Sequence, residues 1–171
     1  MHVTRPDLVP LVNMVVSFTP IHLVFGSLRD DADKQFLFEQ ILDPESRIDN
    51  RLLDAVADQL VLEWFWMPRW TVQEIWYRVL GAWAEVDGEL QMRGVDLITL
   101  PPARATNAVK ALLTKWVSAD ADARAELHND FTTEPLRILR KHQAEETTPE
   151  AVEAAAYDFT AALELMKQHQ R

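Results

Sequence analysis

Cysteine is absent from the 171-residue chain, which excludes disulfides, thiolate nucleophiles and cysteine-based zinc sites. Glycine is scarce: the four residues never cluster, so no glycine-rich phosphate loop can form. The histidines, at 2, 22, 128, 142 and 169, never recur three or four residues apart, the spacing of a helical metal site. Ser17, Ser27, Ser46 and Ser118 have no glycine elbow around them, so no hydrolase nucleophile is marked. A long apolar run is also missing. Leu8 to Phe25 comes nearest, but Pro10, Asn13, Ser17, Thr19, Pro20 and His22 interrupt it, and a spanning helix needs roughly 20 mostly apolar residues. No basic start or small-residue cleavage site marks an export signal. These absences lead to the expectation of a soluble, unprocessed chain that is not an enzyme and uses no cofactor or metal.

What is present fits one globular domain. Apolar residues make up 48% and charged residues 26%, ordinary values for a soluble protein of a size able to bury a core. The net charge is -10, which disfavours nucleic acid as a partner, because phosphate needs Lys and Arg. That charge is unevenly spread. All six tryptophans and three of the four glycines fall between Trp64 and Trp116, and residues 61–117 carry six acids against six bases. The acidic excess lies on the flanks, ten against five before this stretch and eleven against six after it.

Periodicity reads as an all-α fold: a single domain of about six or seven helices with a tryptophan-rich core. The core helices are expected at 51–66, 71–86 and 101–116. Asp49 is placed to cap the first of these, and Leu52, Leu53, Val56, Leu60 and Trp64 recur at helical steps on one face. Thr71 and Glu74 have the spacing of a capping box, with Trp70 and Ile75 as its staple. Gly81 would then lie mid-helix against a large ring, and Asp87-Gly88 would end the helix with glycine in a left-handed position. Pro101-Pro102 opens the next helix.

The flanks are read more coarsely. Residues 8–25 are extended or broken helical, with a short helix from Leu11 to Phe18 equally allowed. Asp30, Asp31 and Asp33 are acids at a helix N-terminus rather than a calcium loop, since no glycine or distal glutamate stands at the required spacing. Leu37, Phe38, Ile41 and Leu42 follow as a stripe. Ser118 to Asp122 starts another helix, and Arg137, Arg140, Lys141 and His142 are a basic last turn. The main domain is placed at 1–143 with its core at 49–117, and 144–171 is a linker plus a C-terminal helix carrying Val152, Phe159, Leu163 and Met166.

Large rings at helical spacing are usually core, yet six in one stretch is a heavy load and interfaces favour Trp and Arg. Trp66 and Trp70 flank a helix break at Met67-Pro68-Arg69, where full burial is difficult, and Arg69 can sit over a ring face. A partner-binding surface is therefore expected from Trp66, Arg69 and Trp70 with Val15, Phe18 and Phe25 of the N-terminal run. The polar turn between Asp87 and Asp96 is expected to be pinned by Arg93 or Arg104 pairing with Asp87 or Asp96, with Asn107 capping backbone groups.

The succession Trp70, Trp83, Asp87-Gly88, Arg93-Gly94-Val95-Asp96, Leu100-Pro101, Arg104 and Asn107 resembles the middle of tail assembly chaperones from long-tailed actinobacterial phages (siphoviruses). It spans about 40 of the 171 residues. The resemblance implies a helper that binds the tape measure protein and keeps it soluble while tail tube protein assembles around it. It further implies a frameshifted longer form of the same chain, self-association, residence in the host cytoplasm during assembly, and absence from the mature virion. A virion structural role, as head-to-tail connector or minor tail component, and a host-directed helical binding module are the alternatives. Neither a nucleic acid nor a membrane partner is expected.

Overall fold

The computed structural model describes residues 2–17 and 19–135. Over these residues the chain is all-α, with helices α1 (Leu8–Val16), α2 (Pro20–Ser27), α3 (Asp31–Leu42), α4 (Asn50–Phe65), α5 (Arg69–Gly81), α6 (Trp83–Met92), α7 (Pro102–Trp116) and α8 (Ala121–Thr132). A 3₁₀ turn, Leu97–Thr99, stands between α6 and α7. The chain divides into two compact units, Met1–Thr133 and Glu134–Arg171. The expected basic cluster at 137–142, the boundary after 143 and the C-terminal helix lie outside the described residues.

The N-terminal run is helical because its prolines begin helices instead of breaking them. Pro10 is the third residue of α1, where an amide would have no intrahelical acceptor. Pro20 is the first residue of α2, and Thr19 before it takes the extended conformation that a following proline favours. Leu8, Leu11, Val12 and Val15 then share one buried face. Hydrogen bonds from Thr4 N to Ser27 O (2.8 Å) and Arg29 N to His2 O (3.0 Å) tie the chain start to the end of α2. In α3 the first-turn acids Asp31 and Asp33 stand as expected, and the Lys34 ammonium beside Asp31 holds that carboxyl below its usual range. Its stripe splits: Leu37 is buried, Ile41 half-buried, and Phe38 and Leu42 are exposed, because α3 presents only one narrow row inward.

Asp49 caps α4 as expected, its carboxylate accepting from Leu52 N at 2.8 Å. The inward face of α4 is rotated from the expected one. Leu53, Ala57, Val61 and Phe65 are buried, whereas Leu52 and Val56 are exposed. Ala57 explains the rotation: fully buried and small, it lets neighbouring helices approach along the row that contains it.

The helix expected at 71–86 is two helices. It starts two residues earlier, after Pro68, and breaks at Ala82, where φ is -131° and ψ 36°. The capping box at Thr71 and Glu74 does not form, because Thr71 already lies inside the helix. Its hydroxyl instead donates to Phe131 O at 3.3 Å, and Glu74 accepts from Arg78. No ring packs on Gly81, around whose absent Cβ there is open space. Gly88 lies within α6 and ends nothing. The terminator is Gly94, at φ +73°. Its amide donates to Gln91 O (2.8 Å) and that of Val95 to Leu90 O (3.0 Å), the paired bonds of a Schellman cap. Half-buried Val95 and buried Leu90 supply the accompanying apolar contact positions.

The core is leucine and valine with one tryptophan, not tryptophan-rich. Trp76 is buried; Trp64, Trp70 and Trp83 are half-buried; Trp66 and Trp116 are exposed. Leucines and valines of α1, α2, α4, α5 and α7 make up most of the rest of the cluster. Three polar side chains of α5 are buried with it, and each reaches a different helix. Thr71 meets α8, Gln73 donates Nε2 to Val15 O of α1 at 2.9 Å, and Trp76 donates Nε1 to Thr106 Oγ1 of α7 at 2.9 Å.

Two outcomes follow for stability. Replacing Thr106 by Val leaves the Trp76 N–H without its acceptor and is expected to cost about 1–3 kcal/mol in a denaturant titration, while Thr106→Ser keeps most of it. The glycine inside α6 and the glycine that caps it should respond oppositely to alanine. Gly88→Ala is expected to stabilise by up to about 1 kcal/mol, since the site is helical and open. Gly94→Ala is expected to cost about 1–2 kcal/mol, since its backbone is left-handed. Equal effects at the two positions would show that the cap is misplaced.

Candidate interaction surface

The rotation of α4 leaves an apolar face turned outward. Leu52, Val56, Gln59, Glu63 and Trp66 recur at alternating steps of four and three along α4 and its cap, so they stack on one side of the helix. Ala55 and Leu62 flank them. Leu52 is 45% exposed, Val56 37%, Leu62 46% and Trp66 72%. Gln59 and Glu63 are the polar members of this face, and a shallow depression along it is lined by Ala55, Val56, Gln59, Leu60 and Glu63. Single exposed apolar residues are ordinary on a protein surface; four along one side of a helix, here with Gln59 and Glu63 between them, make a candidate contact surface.

At the end of this row the chain turns sharply. Trp66 closes α4 with φ 58° and ψ 27°, the left-handed conformation that helix ends normally assign to glycine or asparagine. Its amide donates to Leu62 O at 2.9 Å, completing the cap. A bulky side chain in this conformation costs roughly 1–2 kcal/mol, and such outliers gather at functional positions.

Arg69 fixes the turn from the other side. Its guanidinium reaches Asp54 at 2.7 Å through Nη2 and Asp58 at 2.8 Å through Nε. The two aspartates stand one turn apart on α4, so one planar fork can engage both. These carboxylates, and not the expected ring face, hold Arg69. With the Arg69 side chain only 18% exposed, its role is to set the start of α5 against α4.

The expected surface assembles only in part. Trp66 is exposed and Trp70, on the first turn of α5, is half-buried. Val15 is 1% exposed and belongs to the core, because α1 folds against α5 and takes its apolar face with it. Phe25 is half-buried against the same cluster. Phe18 lies outside the described residues. Periodicity alone does not turn Leu52, Val56 and Leu62 outward; the small Ala57 in the competing row is the signal that could have done so.

The polar turn is pinned by backbone caps more than by the expected charge pairs. Asp96 accepts from Ile98 N at 3.2 Å and so caps the 3₁₀ turn. Asp87 accepts from Gln91. Arg104 and Asn107 are exposed on α7, and neither joins the turn among the described residues. Arg93 pairs with Glu89 of its own helix rather than with Asp87 or Asp96. Glu89 also accepts from Trp116 Nε1 at 2.7 Å and Lys115 Nζ at 2.9 Å, linking α6 to the end of α7. The indole and ammonium donors hold its carboxyl below the usual range. Half-buried Trp83 lines an apolar cleft of about 110 Å³ with Leu8, Val12, Trp76 and Leu80.

Among the described residues, no group of three His, Cys, Asp or Glu side chains is placed to hold a metal ion. No described helix is long and apolar enough to cross a membrane. Compared with protein-family models, curated proteins and solved structures, the chain matches none.

The strain at the corner gives a direct test. Trp66→Gly is expected to leave the domain as stable as the parent, or more stable by up to about 1 kcal/mol, because glycine adopts this backbone freely. A loss of more than about 1 kcal/mol in thermal or denaturant melts would mean that the ring packs within the free protein.

Proposed function

We propose that this protein is a non-catalytic assembly chaperone that holds an amphipathic helix of a long partner protein against the outward face of α4. The partner implied by the resemblance is a phage tape measure protein, kept soluble while the tail tube forms around it. The observation that carries this reading is the row Leu52, Val56, Leu62 and Trp66, exposed together on a helix whose other side is fixed in the core. A guest helix offers anchors at i, i+3, i+4 and i+7, and an exposed helix face of the same periodicity is a natural complement. The acidic surface suits the task, since net charge keeps a complex with exposed apolar segments in solution.

Co-expression with the tape measure protein tests the proposal, reading the fraction of that partner left in the supernatant. Parent protein is expected to keep it soluble. Trp66→Ala and Val56→Glu should each weaken the complex about thirtyfold, as loss of a hot-spot contact does, with helix content unchanged by circular dichroism. Equal rescue by parent and both variants would reject the α4 face. Failure of the parent to retain any partner would reject the chaperone reading, and recovery of the chain from purified particles would favour a virion component.

A further inference from the structure

A second surface differs from the α4 face in chemistry. Helices α7 and α8 border an open groove of about 390 Å³, lined among others by Lys110, Thr114, Arg124, Leu127, His128 and Phe131. Leu127 and Phe131 are buried and form its floor. Lys110 stands over the Phe131 ring, 5.7 Å from its centroid, a placement that holds the ammonium at the groove. Arg124 and His128 lie one turn apart on α8, so both project to the same side.

The groove carries the opposite charge to its surroundings. The chain has 27 acids against 17 Lys and Arg, yet among the described residues no carboxylate lines it. Helix α8 separates its charges: Asp122, Glu126 and Asp130 recur at steps of four on one side, and Arg124 and His128 on another. Asp130 is engaged by Arg78. Lys110 contacts the Phe131 ring, and both Lys110 and Arg124 face the groove, whereas Arg69, Arg78, Arg93 and Lys115 each sit on a carboxylate.

We propose that the α7–α8 groove docks an acidic amphipathic segment of a partner protein, its carboxylates meeting Lys110, Arg124 and His128 and an apolar side chain lying over Leu127 and Phe131. Charge complementarity selects the occupant. A carboxylate gains charge-assisted hydrogen bonds from Arg and Lys that a neutral side chain cannot match. Nucleic acid is disfavoured: its backbone presents a charge every few ångströms and would run onto Asp122 and Glu126 beside the groove. The apolar floor and open form fit a peptide better than a bare inorganic anion, which binds where donors converge. This assignment stands apart from the α4 face and from the tape measure reading.

The test uses the full chain and a pair of blocked helical peptides. One carries leucines at i, i+3 and i+4 flanked by two glutamates; its twin has glutamine at both. Fluorescence anisotropy gives affinity, and amide chemical shifts locate the site. The glutamate peptide is expected to bind at least about tenfold more tightly than the twin, with shifts confined to α7 and α8, and to weaken as salt rises. Lys110→Gln with Arg124→Gln should abolish that preference, and Lys110→Glu with Arg124→Glu should transfer it to a lysine-bearing peptide, both without loss of helicity. Equal affinity of the two peptides, or shifts centred on α4, overturns the proposal. So does displacement of the peptide by equimolar inorganic phosphate, or tighter binding of a single-stranded oligonucleotide.

Discussion

The structure depends on the buried polar bonds of α5. Within two turns, Thr71, Gln73 and Trp76 reach α8, α1 and α7 respectively. Two of the acceptors, Phe131 O and Val15 O, belong to the last turns of their helices, where carbonyls lack intrahelical partners. Helix α5 therefore completes the ends of α1 and α8 while its indole is satisfied by α7. An orphaned buried group costs about 1–3 kcal/mol, against a total stability of roughly 5–15 kcal/mol for a domain. Turning α5 by one residue would orphan all three.

Elements that α5 does not hold in this way are placed by local devices. The α4–α5 corner rests on Arg69 between two aspartates, partly shielded from water and so stronger than an ordinary surface pair. The α6–α7 connection rests on a Schellman cap, then an aspartate cap, then a proline at the first position of α7. Glu89 accepts from three donors, two at the end of α7 and one at the end of its own helix. The carboxylate contacts of Asp96 and Glu89 are exposed and individually weak; their effect is directional, fixing where α7 begins relative to α6.

Local signals were readable in the sequence and tertiary ones were not. Asp49, Pro102 and the first-turn acids of α3 act on neighbours a few residues away, and they stand where the sequence places them. Helix α7 was legible because Ala105, Val109, Leu112 and Leu113 define one apolar face against a polar remainder. Helix α4 was not. Apolar on several sides, it has no unique inward row until Ala57 meets its neighbours. The prolines at 10 and 20 read as breakers because their meaning depends on where a helix starts. Thr71 read as a cap because Pro68, not Thr71, is the residue at which α5 begins. Trp66 was recognisable as poorly buried from the proline two residues on, but Val15 was not recognisable as core, since its acceptor role toward Gln73 joins residues 58 apart.

Position 66 brings these threads together. Its backbone is left-handed, so the fold by itself would be best served there by glycine. What stands there is the largest side chain, 72% exposed at the end of an apolar row. Neither packing nor hydrogen bonding within the described residues accounts for the ring. In the free protein, Trp66 therefore contributes strain and exposed apolar area together. Covering the ring would remove that area from water at about 25 cal/mol per Å², and no rearrangement would be required, because the inner side of α4 is already fixed. A rigid helix that carries its apolar cost outward is preorganised for contact, so less of the binding energy is lost to ordering the surface. The α7–α8 groove presents charge where α4 presents apolar area.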